Sequence, residues 1–267
     1  YLVAPVMDGQ SLLDEDLAGM EIEPVPLRWY EGPRIRKAVK IAGEVPAADV
    51  PAEGAKYILS DLYSLQYPLT DNEIQKLRLL GKTVDEALRQ VADEIKPGMV
   101  DYDVEAMILS GLAKDNVRCD VLLVGTDERI FRYRHPSPSG AKIGRYVLLH
   151  AAAKYEGLHA NVTRSVYFGD SVPVEIEKPY QAALEIEAAC VAACVPGNRW
   201  CDILEMQKSM LRKRGYPEEW RNHFPGGRTG YSVCECDFSL SADRRIVDRE
   251  CYDWFITITG AKVEELS

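Results

Sequence analysis

The chain has 267 residues, 46% of them apolar and 28% charged, enough for one large core or two smaller domains. Its formal net charge of -10 excludes a broad phosphate-binding surface, which needs clustered Lys and Arg, so no nucleic acid partner is expected. No apolar run approaches the roughly 18 residues of a membrane span, and the opening YLVAPVMDGQ carries neither a basic nor a long apolar leader region, so no membrane partner is expected either.

The first 60 residues alternate short strand-like and helix-like pieces: YLVAPV, SLLDEDLAG, MEIEPVPL, the basic amphipathic GPRIRKAVKIAG, and AKYILS. An α/β unit of this size is too small for a large core of its own. After YSLQYPLTDN, which reads as a linker, Asp71 or Asn72 stands where a helix cap belongs. Ile74, Leu77, Leu80, Val84, Leu88, Val91 and Ile95 then recur at helical spacing until Pro97-Gly98. A second helix, VDYDVEAMILSGLAKD, precedes four strand-like runs: CDVLLVG, RIFRY, RYVLLHAAA and ANVTRSVYFG. Helices follow over about residues 174–193 and 201–213, stopped by Pro196-Gly197 and by Gly215. Strands return at GRTGYSVCECD, YDWFITITG and AKVEEL. Two helices, a strand group, two helices and more strands predict an α+β domain with helices packed on antiparallel sheet. The chain starts without Met and stops in a strand-like run, so both natural ends are expected to lie beyond it.

Seven cysteines occur without a paired CxxC framework. Cys190 and Cys194, one helical turn apart, read as small apolar packing in a reducing compartment. Cys234 and Cys236 lack the second pair of ligands that a structural zinc site needs.

The segment LTDNEIQKLRLLGKTVDEALRQVADEIKPGMVDYDVEAMI resembles the entry to the catalytic domain of the creatinase, prolidase and aminopeptidase P family, and the match continues in order over about residues 70–267. The resemblance implies a pita-bread catalytic-type domain over residues 66–267. Part of the family's small N-terminal α/β domain and a linker would precede it, over residues 1–65.

Peptidases of that family hold two metal ions with two Asp, one His and two Glu, hard oxygens and an imidazole that suit divalent ions activating a bridging water. Aligned through GLHANVTR, His150 takes the place of the first Asp and Asn161 the second. In HFPGGRTGY, His223, Gly226 and Gly230 match the family's glycine-rich loop, and Gly227 falls where the metal-binding His would stand. DWFITITG places Phe255 or Ile256 near the first Glu position, so only Glu264 keeps an acidic ligand. The expectation is therefore no dimetal centre and no cofactor. A single transition-metal site from His150 with His135 or His223 is the remaining metal reading, against which a strand histidine is more often hydrogen-bonded structure.

All four histidines, His135, His150, His159 and His223, fall in segments that resemble the family's active-site motifs. His135 resembles its proton shuttle and His223 a substrate-contacting histidine. The competing structural roles are loop packing by Arg132 or Arg134 for His135 and helix-end capping for His223. Gly226 and Gly227 would let backbone approach a ligand and Arg228 would pair with a carboxylate, set against a β-bulge with a solvated arginine. Arg164, in the family's TR pair, is expected to be scaffold.

Three functions follow. The favoured one is a metal-independent acid–base hydrolase of the creatinase kind, with His135, His223 and Glu264 catalytic, and His150, Asn161, Arg228, Gly226 and Gly227 binding a small amide, amidine or dipeptide-like substrate. The others are a non-catalytic binding protein on the same fold and a metal-dependent Xaa-Pro peptidase. The resemblance also implies a homodimer, and the cysteine usage a cytoplasmic location.

Overall fold

The computed structural model describes residues 1–63, 65–66, 68–234 and 244–267. It divides into two units, Tyr1–Gln66 and Tyr67–Ser267. In the first, β1 (Leu2–Pro5) lies parallel to β2 (Pro24–Leu27), with α1 (Gly9–Ser11) running into a π-helical turn over Leu12–Asp16 between them. α2 (Arg34–Ala42) follows, β3 (Ala47–Ala48) pairs in parallel with β4 (Lys56–Tyr57), and α3 (Leu59–Tyr63) comes last. Ala4 and Leu27 are the buried apolar residues among those described in this unit, in keeping with its small size. Two sequence expectations shorten here. MEIEPVPL is extended only from Pro24, and AKYILS only at Lys56–Tyr57 before the chain turns helical.

The second unit opens with α4 (Asp71–Glu94). Its cap is Thr70, not Asp71 or Asn72. Thr70 Oγ1 accepts from the Glu73 amide at 3.3 Å while the Glu73 carboxylate accepts from the Thr70 amide at 2.6 Å. That reciprocal box satisfies two donors at once, which a cap one residue later would not. α5 (Asp101–Lys114) leads into β5 (Arg118–Thr126), α6 (Glu128–Arg132), β6 (Tyr146–Tyr155) and β7 (Leu158–Tyr167). RIFRY is thus helical at its start, not a strand. Asp127 turns the chain out of β5, its carboxylate accepting the amides of Gly144, Arg145 and Tyr146 at 2.7, 2.7 and 3.0 Å.

α7 (Val174–Ala193) and α8 (Trp200–Lys213) precede β8 (Gly226–Thr229), β9 (Cys251–Ile258) and β10 (Ala261–Leu266). Among its described residues GRTGYSVCECD forms strand only within β8, and residues 235–237, Cys236 with them, lie outside the described residues. The strands make two antiparallel three-stranded sheets, β5-β6-β7 and β10-β9-β8.

Strand alternation decides what each sheet buries. Leu149, Ala151, Ala153, Ala160 and Val162 face α4 and α5 in one core. Trp254, Ile256, Ile258 and Val263 face the Ala182, Ile186, Cys190 and Ile203 side chains of α7 and α8 in another, where Cys190 is packing as expected. Burying these large side chains is worth about 1.5–3 kcal/mol each, so the helix-covered faces dominate stability. The opposite faces carry the polar residues.

Candidate active site

Register carries the site. On β6 and β7, His150 pairs with Thr163 and Ala152 with Asn161, and these positions alternate with the apolar ones that face the helices. On β9 and β10, Phe255 pairs with Glu264 and Thr257 with Lys262, so Asp253, Phe255, Thr257, Lys262 and Glu264 share the face turned away from α7 and α8. A two-residue turn, Thr259-Gly260, joins the strands, with Gly260 at φ +88°.

Glu264 is the hub. Its Oε2 lies 2.9 Å from Lys262 Nζ and 3.1 Å from His150 Nδ1, and accepts the Thr163 hydroxyl at 3.1 Å. His150 Nδ1 also lies 3.1 Å from Thr163 Oγ1. His150, Asn161, Thr163, Asp253, Lys262 and Glu264 are all 5% exposed or less, so these contacts are made with little screening by water. Asn161 Nδ2 donates to Asp253 Oδ2 at 2.5 Å and to the Val233 carbonyl at 3.3 Å. The other Asp253 oxygen and Asn161 Oδ1 are buried without a hydrogen-bond partner.

The two carboxylates are driven apart. Burial, reinforced by the Glu264 charge, raises the Asp253 carboxyl well above the usual carboxylate range. Burial works the same way on Glu264, but the neighbouring His150 and Lys262 outweigh it and hold Glu264 below that range. Such a split between adjacent acids is characteristic of acid–base sites.

Two further histidines face this cluster across a cavity of about 120 Å³, whose wall includes His135, His150, His223, Asp253, Phe255, Lys262 and Glu264. The His135 and His223 rings meet edge-on with centroids 4.8 Å apart. His223 Nδ1 lies 3.1 Å from Thr257 Oγ1, while its Nε2 is buried without a partner. Burial, then Lys262 and His135, push the His223 pKa down to about 3, and burial, then Lys262 and His150, lower His135. Both imidazoles are neutral at neutral pH, which leaves each a ring nitrogen able to accept a hydrogen bond, and His223, with its pKa of about 3, is a much weaker base than an ordinary histidine. Next to His135, Arg134 is held by Glu219 and by Thr259 Oγ1.

Several residues singled out in the sequence fall elsewhere. His159 points to Asp120 at 2.9 Å and to the Gly230 carbonyl, outside the cavity wall. Arg228 pairs with Tyr252, whose side chain belongs to the helix-covered core, so it is a buried residue of that face and neither lines the cavity nor is solvated. Gly226 serves strand packing: at φ +133° a Cβ would sit 2.2 Å from the Asp253 carbonyl oxygen. Gly227 pairs with Asp253 and does not line the cavity. Phe255 faces the cavity and Ile256 the helices. Arg164 is scaffold, bound to Asp85 and Glu265.

Sequence reading missed Asp253 and Lys262. The usable signal was period two: Lys262 stands two residues before Glu264, and Asp253 two before Phe255, on strands otherwise apolar.

A family model described as metallopeptidase family M24 matches residues 75–251. The chain belongs to metallopeptidase family M24. Among curated proteins, an uncharacterized peptidase of Staphylococcus aureus (strain USA300) is 24% identical over 152 residues, 56% of this chain and 43% of the relative. The matched region thus spans less than half the length of that M24 relative. Solved structures share the fold. A prolidase from Pyrococcus furiosus matches 98% of this chain and 81% of its own at TM-score 0.80 and 17% identity. An Xaa-Pro dipeptidase from Bacillus anthracis matches 98% and 79% at TM-score 0.76 and 18% identity. An X-Pro aminopeptidase from Thermotoga maritima matches 92% and 77% at TM-score 0.74 and 18% identity. The expected pita-bread fold is therefore the observed one.

The M24 name implies metal, and the donor set does not fit a pair of ions. Asn161 is an amide engaged with Asp253, Gly227 offers no side chain, and an ammonium lies against Glu264. Among the described residues, no group of three or more His, Cys, Asp or Glu is arranged to hold a metal ion. No helix among them is long and apolar enough to cross a membrane.

Proposed function

We propose that this M24 chain is a metal-independent acid–base hydrolase that cleaves a C–N bond of a small amide, amidine or dipeptide-like substrate. One observation carries the reading: Glu264, the acidic residue best placed to hold a metal, is engaged by the Lys262 ammonium at 2.9 Å and by His150 and Thr163. With that carboxylate occupied, the chemistry rests on proton transfer. His135, neutral and at the cavity mouth, takes a proton from the attacking water as the new C–O bond forms and returns it to the leaving nitrogen as the C–N bond breaks. His223 Nε2 binds a substrate polar atom, and His150, Asn161 and Glu264 hold the opposite wall. Such general acid–base catalysis is commonly worth ~10²–10⁴-fold in rate. The reading extends to residues 1–65 as part of a creatinase-like N-terminal domain, to a homodimer, and to the cytoplasm.

A second reading has one observation in its favour. A cavity of about 120 Å³ is small beside the roughly 300–1,000 Å³ of typical ligand sites, which suits a binding protein on a retired catalytic scaffold.

Metal analysis of protein purified without added metal, together with turnover of an Xaa-Pro dipeptide and of creatine, separates the readings. The expected result is less than one ion per chain, with turnover that His135→Ala abolishes while ligand binding persists. Two stoichiometric divalent ions would sink the proposal, and ligand binding without turnover would favour the binding protein.

A further inference from the structure

We infer that Lys262 is the resident cation of this site, an ammonium carried by the chain itself that occupies the place of a divalent ion beside Glu264 and His150 and keeps such ions out. The inference rests on the metal-independent reading and adds to it the residue responsible.

The carboxylate that an ion would need is already engaged from several sides. His150 Nδ1 and Glu264 Oε2 are 3.1 Å apart. The third group at Glu264 Oε2, 2.9 Å away, is Lys262 Nζ. An ammonium and a dication at one carboxylate oxygen repel each other strongly in a water-poor interior. Lys262 is 3% exposed and its ammonium lies 5.5 Å from the centre of the Phe255 ring, so the charge sits inside the site and not in solvent.

A second buried carboxyl stands at the same place. Asp253, 1% exposed, presents an oxygen without a hydrogen-bond partner, and its carboxyl lines the same cavity as Glu264 and Lys262. With Lys262 removed, Glu264 and His150 present an oxygen and a nitrogen to an incoming ion, donors that suit manganese or zinc with water completing the shell. A buried carboxylate deprived of its counter-charge is costly, and an incoming cation relieves that cost.

The test is calorimetric titration of Mn²⁺ and Zn²⁺ into the wild-type chain and its Lys262→Met and Lys262→Gln variants, with Lys262→Met/Glu264→Gln as control. Both single variants should take up one ion per chain, at least about tenfold tighter than wild type, and the ion should raise their melting temperature. Wild type and the double variant should bind none. If the single variants fold but stay empty at millimolar metal, or bind no better than wild type, this inference fails alone. Two ions on wild type would defeat the metal-independent reading itself. Refolding both single variants with Mn²⁺ present guards against misfolding; failure to fold with the ion counts against the inference.

Discussion

Asp253 and Glu264 stand on paired strands and are pushed in opposite directions, burial and the Glu264 charge raising Asp253 while His150 and Lys262 outweigh burial at Glu264. The same logic fixes His223. Its pKa falls from the ordinary 6.5 to about 3, so the folded state binds no proton there while the unfolded state does. That contribution to stability is present above pH 6.5 and is lost as pH falls toward about 3. His223→Phe should lose less stability than wild type across this window, measured as the denaturant midpoint against pH; equal slopes would show that His223 is already charged. At this scale the sequence was partly legible. Glu264 and His150 stood out because they sit inside recognisable motifs. Lys262 and Asp253 did not, because a lone lysine or aspartate in a strand reads as an edge residue until a second sheet is known to cover it.

At the scale of elements, β8 and β9 come together because Gly226 leaves no side chain between them. Gly226→Ala would drive a methyl into the Asp253 carbonyl, 2.2 Å away, at a backbone conformation that alanine resists. The expected cost is about 3 kcal/mol in unfolding free energy, read by chemical denaturation, and with it a loss of the Asp253–Asn161 alignment. A neutral outcome would mean that β8 is held elsewhere. Helices α4, α5, α7 and α8 were legible from their period, since each must bury one stripe. The start of RIFRY was misread as strand because its apolar residues are too few to show a period, and the deciding contacts come from Asp127, which grips amides 17–19 residues away. Thr70 as cap was legible in T-x-x-E and was passed over for its neighbours.

Over the whole molecule, the order of helices and strands was enough to place the fold, because two helix-covered sheets demand two repeats of helices and strands. What order could not convey is charge buried between elements. Glu187 on α7, 6% exposed, has its pKa raised to about 8, first by burial and then by the Glu265 and Glu264 charges. The folded state therefore keeps a proton that the unfolded state releases near the ordinary 4.5. Stability from this group is full below 4.5 and declines as pH rises through about 8. Glu187→Gln should flatten that decline, so that urea midpoints of variant and wild type diverge toward alkaline pH; parallel curves would remove Glu187 as the cause. The Thr163–Glu264 hydrogen bond spans 101 residues of chain, joining the first sheet to the last strand. The cluster draws its members from both sheets, so it is complete only when the two have come together. Contacts so far apart in sequence carry a high loop-closure cost, so the cluster ties the first sheet to the last strand independently of any chemistry it performs.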